Sequence, residues 1–296
     1  MLTESRNPNT TKIDQLSTLE MLTVINEEDA RVAGAVRQAL PQIAQAVDAI
    51  SARMRDGGRL IYTGAGTSGR LGVLDAVECV PTFSAPPGLV IGLIAGGEKA
   101  LTQAAEGAED NVQAGKDALL AINLAPNDSV VGIAASGRTP YVIGALQTAN
   151  DIGAFTVAVT CNANAPMLEH AQVGIVAEVG AEVITGSTRL KSGTAQKLIL
   201  NMLSTAVMIK LGKVYGNLMV DVMVTNEKLA DRARRIVVEV TGISYEEANK
   251  LLIQTDNHVK TAIVMALKNA TVEEAQRQLE ANQGVLAQII TPTDQA

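Results

Sequence analysis

Three clusters of glycine and hydroxyl residues carry the chemistry this chain can offer. The first, Thr63-Gly64-Ala65-Gly66-Thr67-Ser68-Gly69, closes an apolar run and precedes a helix-like segment. Backbone amides there, with Thr67 and Ser68, can converge on an anion at a helix N-terminus. The loop lacks the lysine of a GxxxxGK[ST] pattern, so it is not a P-loop. Gly64, Gly66 and Gly69 formally match the dinucleotide fingerprint GxGxxG. The acid that should end the second apolar run is absent, however, and Glu98 is the one nearby candidate. A phosphorylated small molecule is therefore the leading ligand.

The second cluster, Ala134-Ala135-Ser136-Gly137-Arg138-Thr139-Pro140, also follows an apolar run. Ser136 and Gly137 can join an anion site, while Thr139 can serve as a helix cap ahead of Pro140. The third is Gly186-Ser187-Thr188-Arg189-Leu190-Lys191-Ser192-Gly193-Thr194. Ser187 and Thr188 can reach a phosphate, with Arg189 or Lys191 adding charge. The plainer alternative is a helix cap with solvated bases. Three such clusters in one segment favour the ligand.

Proton chemistry would fall to carboxylates. The chain has two histidines, His170 and His258, and two cysteines, Cys79 and Cys161. None has metal-ligand spacing or forms a nucleophile–base constellation. Glu78 sits in an otherwise apolar segment, Leu71 to Val80, as a buried ion-pair member or a proton-transfer group. Glu109, in Glu106-Gly-Ala-Glu-Asp110, reads more readily as a solvated helix face than as a proton-transfer group, since charged helix residues are mostly exposed. The residues alone leave both open.

Short apolar runs must position these groups. Leu60–Thr63, Leu89–Ile94, Ser129–Ala134, Phe155–Thr160 and Gly174–Ala177 read as strands. They alternate with helical segments Gly69–Val80, Leu101–Ile122, Thr139–Ile152 and Asn164–His170, and a long helix runs from Ser192 to about Leu211. That alternation predicts an α/β fold with a doubly wound, five-stranded parallel sheet. Ligands in such folds sit beyond the C-terminal strand ends, where the first two clusters fall. Upstream, residues 1–12 read as an extended arm, Ser17 opens a helix, and a longer helix runs from Asn26 through Met54. The pattern after residue 226 is purely helical. The expected division is residues 1–54 as arm and helices, 55–225 as the α/β domain and 226–296 as a small helical bundle.

Composition limits the partners. Hydrophobic residues make up 47% of the 296 residues, aromatics 2%, and tryptophan is absent. Such an aliphatic core suits buried parallel strands covered by helices. The net charge of −7 without a long basic run argues against nucleic acid. Leu198–Leu211 is too short and too polar to span a membrane. Two distant cysteines and a polar N-terminus fit a cytoplasmic protein.

The three hydroxyl clusters resemble the sugar isomerase (SIS) domain, a doubly wound module that binds phosphosugars. A closer resemblance covers essentially the whole chain. Leu2-Thr-Glu-Ser-Arg-Asn-Pro-Asn9, Ile13-Asp-Gln-Leu-Ser-Thr18 and Ile25-Asn-Glu-Glu-Asp29 look like the N-acetylmuramic acid 6-phosphate etherases. So do Gly64–Gly72, Glu78-Cys-Val-Pro-Thr-Phe83, Glu106–Asp110 and Gly186–Thr194. The resemblance implies cleavage of the lactyl ether of N-acetylmuramate 6-phosphate to N-acetylglucosamine 6-phosphate and D-lactate, in the recycling of cell-wall sugar. It implies a cytoplasmic homodimer without metal or cofactor, and a helical, ubiquitin-associated-type tail. It places the two functional glutamates at Glu78, assisting lactate departure, and Glu109, handling the C2 proton and water. The phosphate is then expected among Gly66, Thr67, Ser68, Gly69, Ser136, Gly137, Ser187, Thr188 and Lys191. An aldose–ketose isomerase or a non-catalytic phosphosugar sensor would share the module. Release of D-lactate separates them.

Overall fold

The computed structural model describes residues 2–103, 105–224 and 226–290. They divide into two compact units, Met1–Val77 with Gly88–Ser204, and Glu78–Pro87 with Thr205–Ala296.

The first unit opens with short helical turns at Leu2–Glu4, Pro8–Thr10 and Ile13–Gln15, where an extended arm is expected. The arm coils because its side chains bond inward. The Thr10 hydroxyl donates to the Val183 carbonyl (2.9 Å), and Asn162 donates to the buried Thr3 hydroxyl (3.2 Å). Ser17 and Glu20 form a reciprocal cap for α1 (Thr18–Asp29). The single long helix expected from Asn26 is instead the end of α1 followed by α2 (Val32–Gln38) and α3 (Leu40–Arg55). Pro41 at the start of α3 suits a new first turn, where no amide bond is lost.

The sheet follows. Strands β1 (Leu60–Gly64) and β2 (Val90–Ile94) are joined by α4 (Gly66–Phe83). After α5 (Lys99–Thr102) and α6 (Val112–Ala121) come β3 (Ser129–Ile133), α7 (Pro140–Ile152), β4 (Phe155–Thr160) and β5 (Val173–Val176). All neighbours pair in parallel, in the order β2-β1-β3-β4-β5. The five strands lie within a residue or so of their expected bounds, because each is an aliphatic run ended by small residues. Strands β1, β3 and β4 are buried along their whole length. Alternation splits their side chains between two helix layers. Ile61 and Val130 join the cluster beneath α6 and α7, whereas Gly72 of α4 lies over Tyr62 and Ile133.

One expected helix is broken. Residues 101–122 do not form one element. Gly107 passes through a left-handed conformation, and the Asn111 side chain caps a fresh start at α6 by accepting from the Ala114 amide (2.9 Å). The interruption puts Glu109 on a tight helical turn, Ala108–Asp110, rather than on a helix face.

Long helix α8 (Lys191–Lys210) leads into the second unit. There a minimal hairpin, β6 (Val214–Tyr215) and β7 (Leu218–Met219), precedes α9 (Glu227–Thr241), α10 (Tyr245–Gln254), α11 (Val259–Lys268), α12 (Val272–Ala281) and α13 (Leu286–Ile289). Capping boxes at Ser244/Glu247 and Thr271/Glu274 set two of these starts. Ala233, Val237, Leu252, Ile263 and Leu279 are among its core residues.

Candidate functional site

The strand order reverses between β1 and β3, the position at which an open α/β sheet leaves a crevice beyond its carboxyl ends. Gly64 and Ile133 pair there as the last residues of the two strands. The first and second hydroxyl clusters therefore leave the sheet side by side.

The turn from β1 into α4 is built for closeness. A Cβ on Gly69 would lie 2.7 Å from the Gly64 carbonyl oxygen and 2.7 Å from Ile94 Cγ1. Only glycine lets the helix start that near the strand end. Gly66 differs, since its φ is +52° and a Cβ there would meet nothing within 4 Å. Its surroundings are open. The Gly69 amide bonds to the Ala65 carbonyl (3.1 Å). The amides of Gly66, Thr67 and Ser68 find no acceptor among the described residues, as expected of a first helical turn that faces an anion.

The second cluster is fixed from the β4 side. The Asn162 amide group (2.8 Å) and the Thr160 hydroxyl (3.2 Å) both donate to the Ala135 carbonyl, and the Cys161 amide does the same (3.0 Å). Ser136 is half-buried, and its Oγ accepts from the Arg138 amide (3.2 Å). Its hydroxyl proton remains available for donation. Gly137 is buried beside Thr160 and Ala165.

The third cluster reaches the first. A Cβ on Gly193 would touch Thr67 Cγ2 at 3.5 Å, and the Ser68 hydroxyl donates to Gln196 Oε1 at 2.9 Å. Ser187 and Thr188 are half-buried. The N-terminus of α8, in contrast, is closed. Glu182 is fully buried and accepts from the amides of Lys191 and Ser192 (both 2.9 Å) and from the Ser192 hydroxyl (2.8 Å).

Lys191, expected to touch the anion, is committed elsewhere. It is 1% exposed, and its Nζ donates to Glu28 Oε2 at 2.6 Å. Asn7 (2.9 Å) and Asn9 (2.8 Å) of the arm donate to the same carboxylate. Burial alone would push the Glu28 carboxyl up. The bonds from Lys191, Asn9 and Asn7, with the lysine charge, hold it down at about 2. The lysine thus fastens α8 to α1 and the arm, and its charge is spent there.

A cavity of about 230 Å³ lies beyond the ends of β1 and β2, lined by Ala65, Gly66, Arg70, Ala95, Glu106 and Glu109 among others. It brings the first loop and one of the two candidate glutamates together. Arg70 has a part in this cavity that its place in the loop motif does not announce. Its guanidinium donates to the carbonyls of Leu101 (3.1 Å) and Gln103 (3.0 Å), which ties the segment before Glu109 to α4. The sequence signal was a lone cation inside an otherwise neutral loop motif.

Glu78 is exposed on α4, so the buried ion-pair alternative does not apply to it. The more enclosed acid of that helix is the half-buried Asp75. Burial raises its carboxyl, against hydrogen bonds from Tyr62 and Ser204 and the charge of Lys197. Glu78 belongs to the second unit. That unit has a cavity of its own, about 550 Å³, lined in part by Lys213, Asp221, His258 and Lys260. There Asp221 Oδ2 pairs with both Lys213 (2.8 Å) and Lys260 (2.9 Å). Among the described residues no group of three or more His, Cys, Asp or Glu can hold a metal ion, and no helix is long and apolar enough to cross a membrane.

Comparison with known proteins gives matches of three kinds. Residues 42–150 match the family model of the glucokinase regulatory protein N-terminal SIS domain, and residues 216–260 that of the same protein's C-terminal lid domain. The N-acetylmuramic acid 6-phosphate etherase of Pectobacterium atrosepticum is 59% identical over 98% of this chain and 96% of its own. That of Yersinia pestis is 59% identical over 97% of each chain. Among solved structures, a putative phosphosugar isomerase of Bacteroides fragilis shares the fold at 20% identity, with a TM-score of 0.51 over 68% of this chain and 95% of its own. A phosphoheptose isomerase from Francisella tularensis does so at 18% identity, with a TM-score of 0.50 over 66% of this chain and all of its own.

Proposed function

The chain belongs to the N-acetylmuramic acid 6-phosphate etherase family, and from that premise we propose how its residues divide the work. Its activity is that of the family, cleavage of the lactyl ether of N-acetylmuramate 6-phosphate. The 6-phosphate lies on the open N-terminus of α4, held by the amides of Gly66, Thr67 and Ser68, while Gly69, its amide bonded to the Ala65 carbonyl, lets the helix start close to the strand end. Hydroxyls of Ser136, Ser187 and Thr188 complete its surroundings, and Gly137 keeps the second loop low. Lys191 serves that site indirectly, as the tie that fixes the third cluster. The phosphate supplies binding energy remote from the reacting bond, which positions the sugar.

The chemistry needs two proton-transfer groups. In the open-chain sugar the C1 aldehyde makes the C2 proton acidic. Glu109 takes that proton, the electron pair closes a C2–C3 double bond, and the C3–O bond to lactate breaks. Glu78 gives its proton to the departing ether oxygen, and D-lactate leaves. Water then adds its oxygen to C3 while Glu109 returns a proton to C2. The water's remaining proton resets Glu78. The product is N-acetylglucosamine 6-phosphate, with no net oxidation.

The observation that carries this reading is the cavity shared by Gly66, Arg70 and Glu109 beyond the ends of β1 and β2. Positioned acid–base groups contribute about 10²–10⁴-fold each. Glu78→Gln and Glu109→Gln should each slow D-lactate release by at least about a hundredfold, with inorganic phosphate still inhibiting. Near-normal turnover in both variants would overturn the assignment. A homodimer working in the cytoplasm, with residues 55–225 as the catalytic part and 226–296 as a helical accessory, completes the proposal. Sedimentation of the purified chain tests the first point.

A further inference from the structure

Gln196 is 1% exposed on α8, and its Nε2 has no hydrogen-bond partner. Its Oε1 accepts the proton of Ser68, which is itself only 8% exposed. A bond made only for stability would satisfy both ends of a buried amide, since an orphaned donor costs the full desolvation of that group. This amide satisfies one end, and it does so by taking the one proton Ser68 has.

That proton matters because a phosphate monoester dianion accepts hydrogen bonds and donates none. While Ser68 donates to Gln196, its hydroxyl turns only lone pairs towards an anion. Ser136 shows the opposite arrangement: its Oγ accepts from the Arg138 amide and keeps its proton uncommitted. A half-turn of the Gln196 amide about its last side-chain bond, a broad two-fold torsion, exchanges Nε2 with Oε1. Nε2 then donates to Ser68 Oγ, and the Ser68 proton is released for the anion. Either orientation keeps one bond to Ser68 and leaves one amide atom unpaired, so pairing alone does not make the choice. An anion that accepts from Ser68 tips it.

We propose that Gln196 is a positioning residue whose amide orientation decides whether Ser68 donates to the substrate's phosphate. The proposal rests on the phosphate site described above. It assigns a role in binding to a side chain that need not touch the substrate.

A double-mutant cycle with inorganic phosphate as the probe tests it. Phosphate affinity is measured by calorimetry on the full chain for the wild type, Ser68→Ala, Gln196→Glu and the pair, and KM and kcat are read from D-lactate release. At a pH well above the carboxylate range, ionised glutamate only accepts and so holds the Ser68 proton. Gln196→Glu should weaken phosphate about tenfold and raise KM far more than it lowers kcat. The direct repulsion of the new charge is read in the Ser68→Ala background, where the same change should cost about twofold or less. Should Gln196→Glu fail to fold, Gln196→Met enters the same cycle. It lacks the acceptor and should weaken phosphate several-fold less than Ser68→Ala. An additive cycle, or equal losses on kcat and KM, would overturn the proposal while leaving the phosphate site intact. Unchanged phosphate affinity in Ser68→Ala would also overturn it, since the Ser68 amide survives that change, whereas failure of phosphate to bind the wild type would remove the site itself.

Discussion

Helices α4 and α8 both begin at clusters of glycine, serine and threonine, yet their first turns have opposite fates. At α4 the amides of Gly66, Thr67 and Ser68 take no acceptor among the described residues, and Gly66 lines a cavity. At α8 the amides of Lys191 and Ser192 are taken by the buried Glu182 carboxylate, and the lysine side chain by Glu28. The same macrodipole and the same unsatisfied donors attract a ligand at one helix and a protein carboxylate at the other. Composition at a helix start announces an anion. It does not say whose anion.

The comparison breaks most visibly if the closed end is opened. Glu28→Ala or Glu182→Ala leaves a buried cation or buried amides without their acceptor. Each should destabilise the first unit by about 3–5 kcal/mol for the ion pair and about 1–3 kcal/mol for the amides. Urea unfolding followed by circular dichroism measures both. Equal midpoints for wild type and variants would mean that α8 needs no carboxylate at its start.

Acid tests the same end without mutation. The Glu28 carboxyl is held at about 2 in the folded chain against an ordinary 4.5. A depressed acid contributes stability above its unfolded value and loses it as pH falls through the folded one. The wild type should therefore lose about 3 kcal/mol between roughly pH 4.5 and pH 2 from this group alone. The loss should shrink in Glu28→Gln, as denaturant midpoints across that range would report.

The open end should respond least in stability and most in binding. Gly66→Ala places a methyl into open space at a positive φ, costing about 1 kcal/mol from the backbone alone. Phosphate inhibition of D-lactate release should nonetheless weaken about tenfold, because the methyl stands where the anion must approach. A normal inhibition constant would shift the phosphate away from α4.

Much of this was legible along the chain. The five strands follow from aliphatic runs of five or six residues ended by small ones, and the second unit's helices from capping boxes and apolar spacing. The two glycine-hydroxyl loops fall beyond strand ends for the same local reason. The break that puts Glu109 on a turn was less visible, because residues 101–122 are helix-compatible throughout apart from Gly107 and its neighbours.

Local rules such as caps, periodicity and strand propensity act within a few residues, so the sequence by itself determined the elements, their order and the loops able to hold a phosphate. Which loop stays open was decided only in three dimensions. Lys191 meets Glu28 across 163 positions, and Ser68 meets Gln196 across 128. Asp75, not Glu78, became the more enclosed acid of α4, half-buried and bonded to Tyr62 and Ser204 while Glu78 stays exposed. Such pairings depend on how elements stack, and the cost of burying a charge or a donor without a partner selects among them.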